Sequence, residues 1–115
     1  MKLEEFISKL SSQPEVISFA ETMAIIDKFY HFTPSAFTNG EVENKADQNN
    51  GSCKIFAFGQ LNSLSEQQTL ACFGEYYRED VLKNSDADDH QNIRNFMALG
   101  WKGVQFQGEA LSILV

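Results

Sequence analysis

Asn49-Asn50-Gly51-Ser52-Cys53-Lys54-Ile55-Phe56-Ala57-Phe58-Gly59-Gln60-Leu61 decides the fold, because its second half is apolar on almost every side. Ile55, Phe56, Ala57, Phe58 and Leu61 leave no polar face, which is the pattern of a helix enclosed by the rest of the chain. Ser52 is placed to cap that helix, so Cys53 falls in its first turn, where unpaired backbone N–H groups and the helix dipole favour a thiolate. The candidate partner is His90 in Asp88-Asp89-His90-Gln91-Asn92-Ile93-Arg94, a second polar cluster that precedes an apolar helical pattern. A packing role fits Cys53 as well, since cysteine is among the residues most often buried.

Toward the C-terminus, Ser65-Glu66-Gln67-Gln68 reads as a capping box. The helix it opens carries the stripe Leu70, Phe73, Tyr76 or Tyr77, and Val81, and forms a helical hairpin with the central helix. Asn84 to Asp88 is a loop, Asp88 or Asp89 caps the last helix, and Ile93, Phe96 and Met97 form its inner face before Gly100 ends it. Toward the N-terminus, Leu3, Phe6, Ile7 and Leu10 predict a short amphipathic helix that stops near Ser11-Ser12. Ser12-Gln13-Pro14-Glu15 reads as a further capping box, followed by a buried stripe of Val16, Phe19, Ala20, Met23, Ile26 and Phe29 or Tyr30 that runs until Thr33-Pro34. Between the two halves, Asn39-Gly40 signals a turn, and Ala36-Phe37-Thr38 and Glu41-Val42-Glu43 pair across it as short strands. Val104-Gln105-Phe106-Gln107 alternates like one half-buried strand and pairs with the segment from Phe37 to Val42. The expectation is an α+β, mainly α fold: one compact domain over residues 1–115, with about five helices and a small antiparallel sheet or hairpin.

Composition narrows the partners. Nine Lys and Arg against 16 Asp and Glu give a net charge of -7, which repels nucleic-acid backbones and anionic lipid surfaces. No stretch approaches the roughly 20 apolar residues of a membrane span, so membrane insertion is not expected. Met1-Lys2-Leu3-Glu4-Glu5-Phe6 has neither the basic start nor the apolar core of a secretory signal. Cys53 and Cys72 are too few for a disulfide framework and point to a reducing setting, with a bridge between them left open. Asp86, Asp88, Asp89 and His90 superficially match a calcium loop, but the glycine it needs is missing and Met97 stands where its bidentate Glu belongs. No metal and no cofactor is expected.

Two functional classes remain. A thiol-dependent hydrolase or transferase would use Cys53 as nucleophile and His90 as base, with Asp89 or Asn92 orienting the imidazole and Gln48, Asn50 or Asn39 donating to an oxyanion. A binding module would hold a protein segment or small polar ligand in a polar groove built from Trp101, Arg94, Asn39 and Asn50, by stacking and amide hydrogen bonds. The two separate on Cys53, whose thiolate an enzyme needs within reach.

Several segments together carry a resemblance. These are Phe32-Thr33-Pro34 running into Ala36-Phe37-Thr38-Asn39-Gly40, Gly51-Ser52-Cys53-Lys54, Thr69-Leu70-Ala71-Cys72-Phe73-Gly74 with Tyr76-Tyr77-Arg78, and Asp89-His90-Gln91-Asn92-Ile93-Arg94-Asn95-Phe96 with Gly100-Trp101. Over about residues 17–111 the chain resembles the HopJ type III effector family. The resemblance implies a bacterial protein, resident in the cytoplasm of its producer or delivered into a host by type III secretion, and brings no reaction, cofactor or substrate with it.

Overall fold

The central helix α3 (Asn50–Leu61) is enclosed on opposite faces, as its composition requires. In the computed structural model, which describes residues 1–114, Ile55, Phe56 and Phe58 have no exposed surface. Two positions apart on a helix means nearly opposite sides, and the two phenylalanines divide the core accordingly. The Phe56 ring meets Phe37, Phe73, Phe96 and Trp101 at centroid distances of 5.9, 5.6, 5.1 and 6.2 Å. Phe58 meets Phe6 at 6.0 Å and Tyr30 at 5.8 Å on the other side. Such aromatic pairs add about 0.5–1.5 kcal/mol each to what their buried area provides. Leu61, at the end of the helix, is 56% exposed and lies outside this core.

Helix α1 (Leu3–Ser12) buries Phe6 and Leu10. The capping box expected at Ser12 to Glu15 does not form. Pro14–Val16 is instead a single 3-10 turn that leaves Val16 exposed and buries Ile17, and Ser18 caps α2 (Phe19–Phe29) by accepting the Glu21 N–H at 3.1 Å. The apolar stripe read into Tyr30 ends earlier as helix, because Tyr30 is already extended and begins strand β1 (Tyr30–Phe32).

Strands β2 (Phe37–Asn39) and β3 (Val42–Asn44) form the expected hairpin, displaced by one residue. Asn39 pairs with Val42, so Gly40 and Glu41 make the turn and Gly40 takes its positive φ of 62°. Strand β4 (Val104–Phe106) joins β2 on its other side, as its alternation predicts. A second, two-stranded sheet has no counterpart in the sequence reading: β5 (Leu111–Ile113) runs antiparallel to β1, with Phe32 opposite Leu111.

Helix α4 (Glu66–Cys72) opens with the complete Ser65/Gln68 capping box. It does not continue to Val81. Gly74, at φ 59°, sits where a Cβ would lie 2.4 Å from the Phe19 backbone nitrogen, and this close approach turns the chain. A π-helical turn over Tyr76–Val81 follows, then α5 (Gln91–Leu99) and the 3-10 turn Gly100–Gly103. Both cysteines are free and buried, so no bridge joins Cys53 to Cys72. Among the described residues no helix is long and apolar enough to cross a membrane.

Candidate functional site

The starts of α3 and α5 meet the π turn around a cleft of about 430 Å³. One wall is aromatic: the Phe19 and Tyr76 rings lie 4.8 Å apart, and Tyr76 stacks on His90 at 5.3 Å with an interplanar angle of 29°. Asn49, Ser52 and Asn92 supply the polar lining. Both helices begin in the same uncommon way. Asn49 and His90, the residues before them, occupy the left-handed region at φ 53° and 50°, and neither side chain caps its helix. Asn and His tolerate that region better than most residues. The first-turn N–H groups of both helices are therefore left without a side-chain acceptor beside the cleft.

Neighbouring contacts hold the wall in place. The Phe19 N–H donates to Glu75 Oε1 at 2.7 Å, which fastens the start of α2 to the π turn and holds the Glu75 carboxyl below its usual range. Gly51 lies under the Phe19 ring, where a Cβ would approach Cζ to 2.7 Å. The imidazole is oriented by a carboxylate that spacing did not suggest: His90 Nε2 donates to Asp80 Oδ2 at 3.0 Å, while Asp89 Oδ2 stands 3.9 Å away.

Behind the cleft lies a buried amide network. Asn92 Nδ2 donates to Asn44 Oδ1 at 2.9 Å, and Asn92 Oδ1 accepts from Asn39 Nδ2 at 3.2 Å and Asn44 Nδ2 at 3.3 Å. Asn39 Nδ2 also donates to the Asn92 carbonyl at 2.8 Å, and Asn49 Nδ2 donates to Asn44 Oδ1 at 2.6 Å. These bonds tie the β2–β3 hairpin to the starts of α3 and α5. Asn39 Oδ1 and Asn50 Oδ1 are buried without a hydrogen-bond partner among the described residues.

The residues singled out from sequence are distributed differently. Cys53 is one turn deeper than Ser52 capping would place it: its N–H already donates to the Asn49 carbonyl at 3.0 Å, so Cys53 lies past the first turn and its unpaired N–H groups. The side chain is 1% exposed, its Sγ donates to the Ser35 carbonyl at 3.6 Å, and burial pushes the thiol pKa up. Lys54, the nearest cation in sequence, is paired with Asp27 at 2.9 Å. Cys53 does not line the cleft that His90 lines.

Asp89 serves Arg94 rather than His90. Arg94 donates to the Asp89 carboxylate and to its backbone carbonyl, both at 2.6 Å, and the first of these bonds lowers the Asp89 pKa. Arg94 is thereby turned toward the Asp89 and Ser85 loop and away from any groove with Trp101. Trp101 donates from Nε1 to the Leu64 carbonyl at 3.0 Å and packs edge-on against Phe96 at 4.9 Å. Asn39 has no exposed surface, and Asn50 Nδ2 is bound to Asp47 Oδ1 at 2.9 Å. The expected groove of Trp101, Arg94, Asn39 and Asn50 is thus not one surface. Phe19, Ser52, Tyr76 and Asp80 were not anticipated as site residues; the sole local signal was the ambiguity over whether Tyr76 or Tyr77 turned inward.

The HopJ type III effector protein family matches residues 3–111. A crystal structure of VPA0580, a protein of unknown function, is 58% identical in sequence and superposes with a TM-score of 0.97. The alignment covers 99% of this chain and 95% of the other. No curated protein matches the sequence. With its family matched over nearly its whole length, the chain belongs to the HopJ type III effector protein family.

Proposed function

We propose that this domain is a recognition module and that the cleft between the starts of α3 and α5 is its binding site. The occupant suited to it is a small polar ligand or peptide segment that carries a planar group beside a carboxylate or carbonyl. The planar group stacks on Tyr76 and His90, and the oxygen accepts from first-turn N–H groups and the Ser52 hydroxyl. One observation supports this reading above the others: an aromatic wall, with Tyr76 stacked on His90 and Phe19 tilted against Tyr76, opens on a polar cleft, while the nearby thiol is turned to the Ser35 carbonyl. The thiol-hydrolase alternative with Cys53, His90 and Asp89 asks for a reachable thiolate and an Asp89-oriented imidazole, and the geometry favours neither.

Titration of the ¹⁵N-labelled chain with N-benzoylglycine, and with its methylamide for comparison, tests the proposal. Saturable shifts at Ser52, Tyr76, His90 and Asn92, weakened about tenfold by Tyr76→Ala, are expected. Shifts located elsewhere, or unchanged by that substitution, would overturn it. We further infer from the family that the producer is a bacterium, with the protein resident in its cytoplasm or delivered by type III secretion. Comparing export of a reporter fusion between secretion-competent and secretion-deficient cells tests delivery.

A further inference from the structure

A second groove, sharing no residue with the cleft, lies between the Pro14–Val16 turn and the α4 to π-turn segment. Its volume is about 660 Å³, within the range that small-molecule sites occupy. Leu10, Ala71 and Leu82 give it an apolar lining, and Tyr77 and Arg78 stand beside them. The π turn therefore contributes to two concave surfaces, with Tyr76 in one and the next two residues in the other.

Arg78 is what makes this groove chemically selective. Acidic residues outnumber basic ones 16 to 9, and Lys9, Lys54, Lys83 and Arg94 each have a carboxylate partner. Among the described residues, the cations outside any ion pair are Lys2, Lys28, Lys45, Lys102 and Arg78. The four lysines are exposed, whereas Arg78 is half-buried. Its Nη1 donates to the Pro14 carbonyl at 3.2 Å, which anchors one arm of the guanidinium and leaves its other donors without a protein partner among the described residues. A partly desolvated guanidinium beside an apolar lining matches a carboxylate attached to an apolar chain, because its remaining N–H groups donate to both carboxylate oxygens. We propose that this groove binds a small amphiphilic carboxylate, with Arg78 holding the head and Leu10, Ala71 and Leu82 covering the tail. Exposed Glu15 on the rim opposes that charge and limits affinity.

The test is an NMR titration of the intact chain with octanoate and, separately, with the neutral octanamide. Octanoate should give saturable shifts at Ala71, Tyr77, Arg78 and Leu82, and bind about tenfold or more tightly than octanamide, the factor one charge-assisted hydrogen bond supplies. Arg78→Gln should erase that preference, and Glu15→Gln should tighten octanoate severalfold. Equal binding of the two probes, shifts outside the groove, or an Arg78→Gln variant that still prefers octanoate would each overturn the proposal. The comparison of probes on the native chain stands even if Arg78→Gln impairs folding.

Discussion

Replacing Asn92 with Ala removes the centre of the amide network that positions both helix starts at the cleft. Asn92 is 6% exposed, and its side chain makes three hydrogen bonds: one donated to Asn44 Oδ1 and two accepted from Asn39 and Asn44. A net value of about 1 kcal/mol for each sets the scale at roughly 3 kcal/mol. The full desolvation penalty is not added, because every former partner keeps another bond. Asn39 Nδ2 retains the Asn92 carbonyl at 2.8 Å, Asn44 Oδ1 retains Asn49 at 2.6 Å, and Asn44 Nδ2 retains the Phe37 carbonyl at 3.4 Å. The expected loss is therefore about 2–3 kcal/mol, equivalent to a fall in Tm of roughly 10 °C for a domain of this size. Equilibrium urea unfolding should show a lower midpoint with an unchanged m-value. Asn95→Ala, which removes only the bond to the Asn39 carbonyl at 2.9 Å, should lose about 1 kcal/mol in the same assay. A loss below about 0.5 kcal/mol for Asn92→Ala would refute the reasoning, since it would mean that the amides exchange their partners for water without cost.

Three further outcomes follow from the same geometry. Trp101→Ala should destabilise the fold by about 3 kcal/mol in urea unfolding, at the lower end for large aromatic truncations because Trp101 is only half-buried over Gly59. Glu75 is held below the ordinary carboxylate value of 4.5 by the Phe19 N–H, so the stability it contributes is present above that value and is lost as pH falls through its folded pKa. Unfolding curves from pH 7 to pH 3 should accordingly show a steeper acid loss for the native chain than for Glu75→Gln; parallel losses would contradict this. Gly51→Ala sets the push of its Cβ on Phe19 Cζ, 2.7 Å away, against the up to about 1 kcal/mol that Ala gains over Gly in a helix, so thermal unfolding should register a net loss of no more than about 2 kcal/mol.

Which features were legible in sequence depended on how far apart their causes lie. The α4 start could be read because Ser65 and Gln68 satisfy each other within four residues, and α3 because its own side chains exclude a solvent face. The hairpin and β4 could be read because alternation and Gly40 are local signals. Strand β1 could not: Tyr30-His31-Phe32 continues the helical spacing of α2, and only β5, some eighty positions later, makes it a strand. The same limit applies to the site. Ser35 turns Cys53 inward from 18 positions away, Asp80 takes His90 from ten, and the Phe19–Glu75 bond that builds the aromatic wall spans 56. Asn49 and His90 take the left-handed region at φ 53° and 50°, which no capping pattern announces.

On the proposed reading, the cleft recognises a ligand and leaves the Cys53 thiol unused. Site-resolved iodoacetamide labelling of the native chain between pH 6 and pH 9, read by mass spectrometry for the native protein and for His90→Ala, tests it most directly. Burial raises the pKa of both thiols, so Cys53 and Cys72 should label far more slowly than a free thiol, at rates set by opening of the fold and unaffected by loss of His90 except through stability. Labelling of Cys53 faster than a free thiol at neutral pH, slowed selectively in His90→Ala, would contradict the account and restore the thiol-dependent reading.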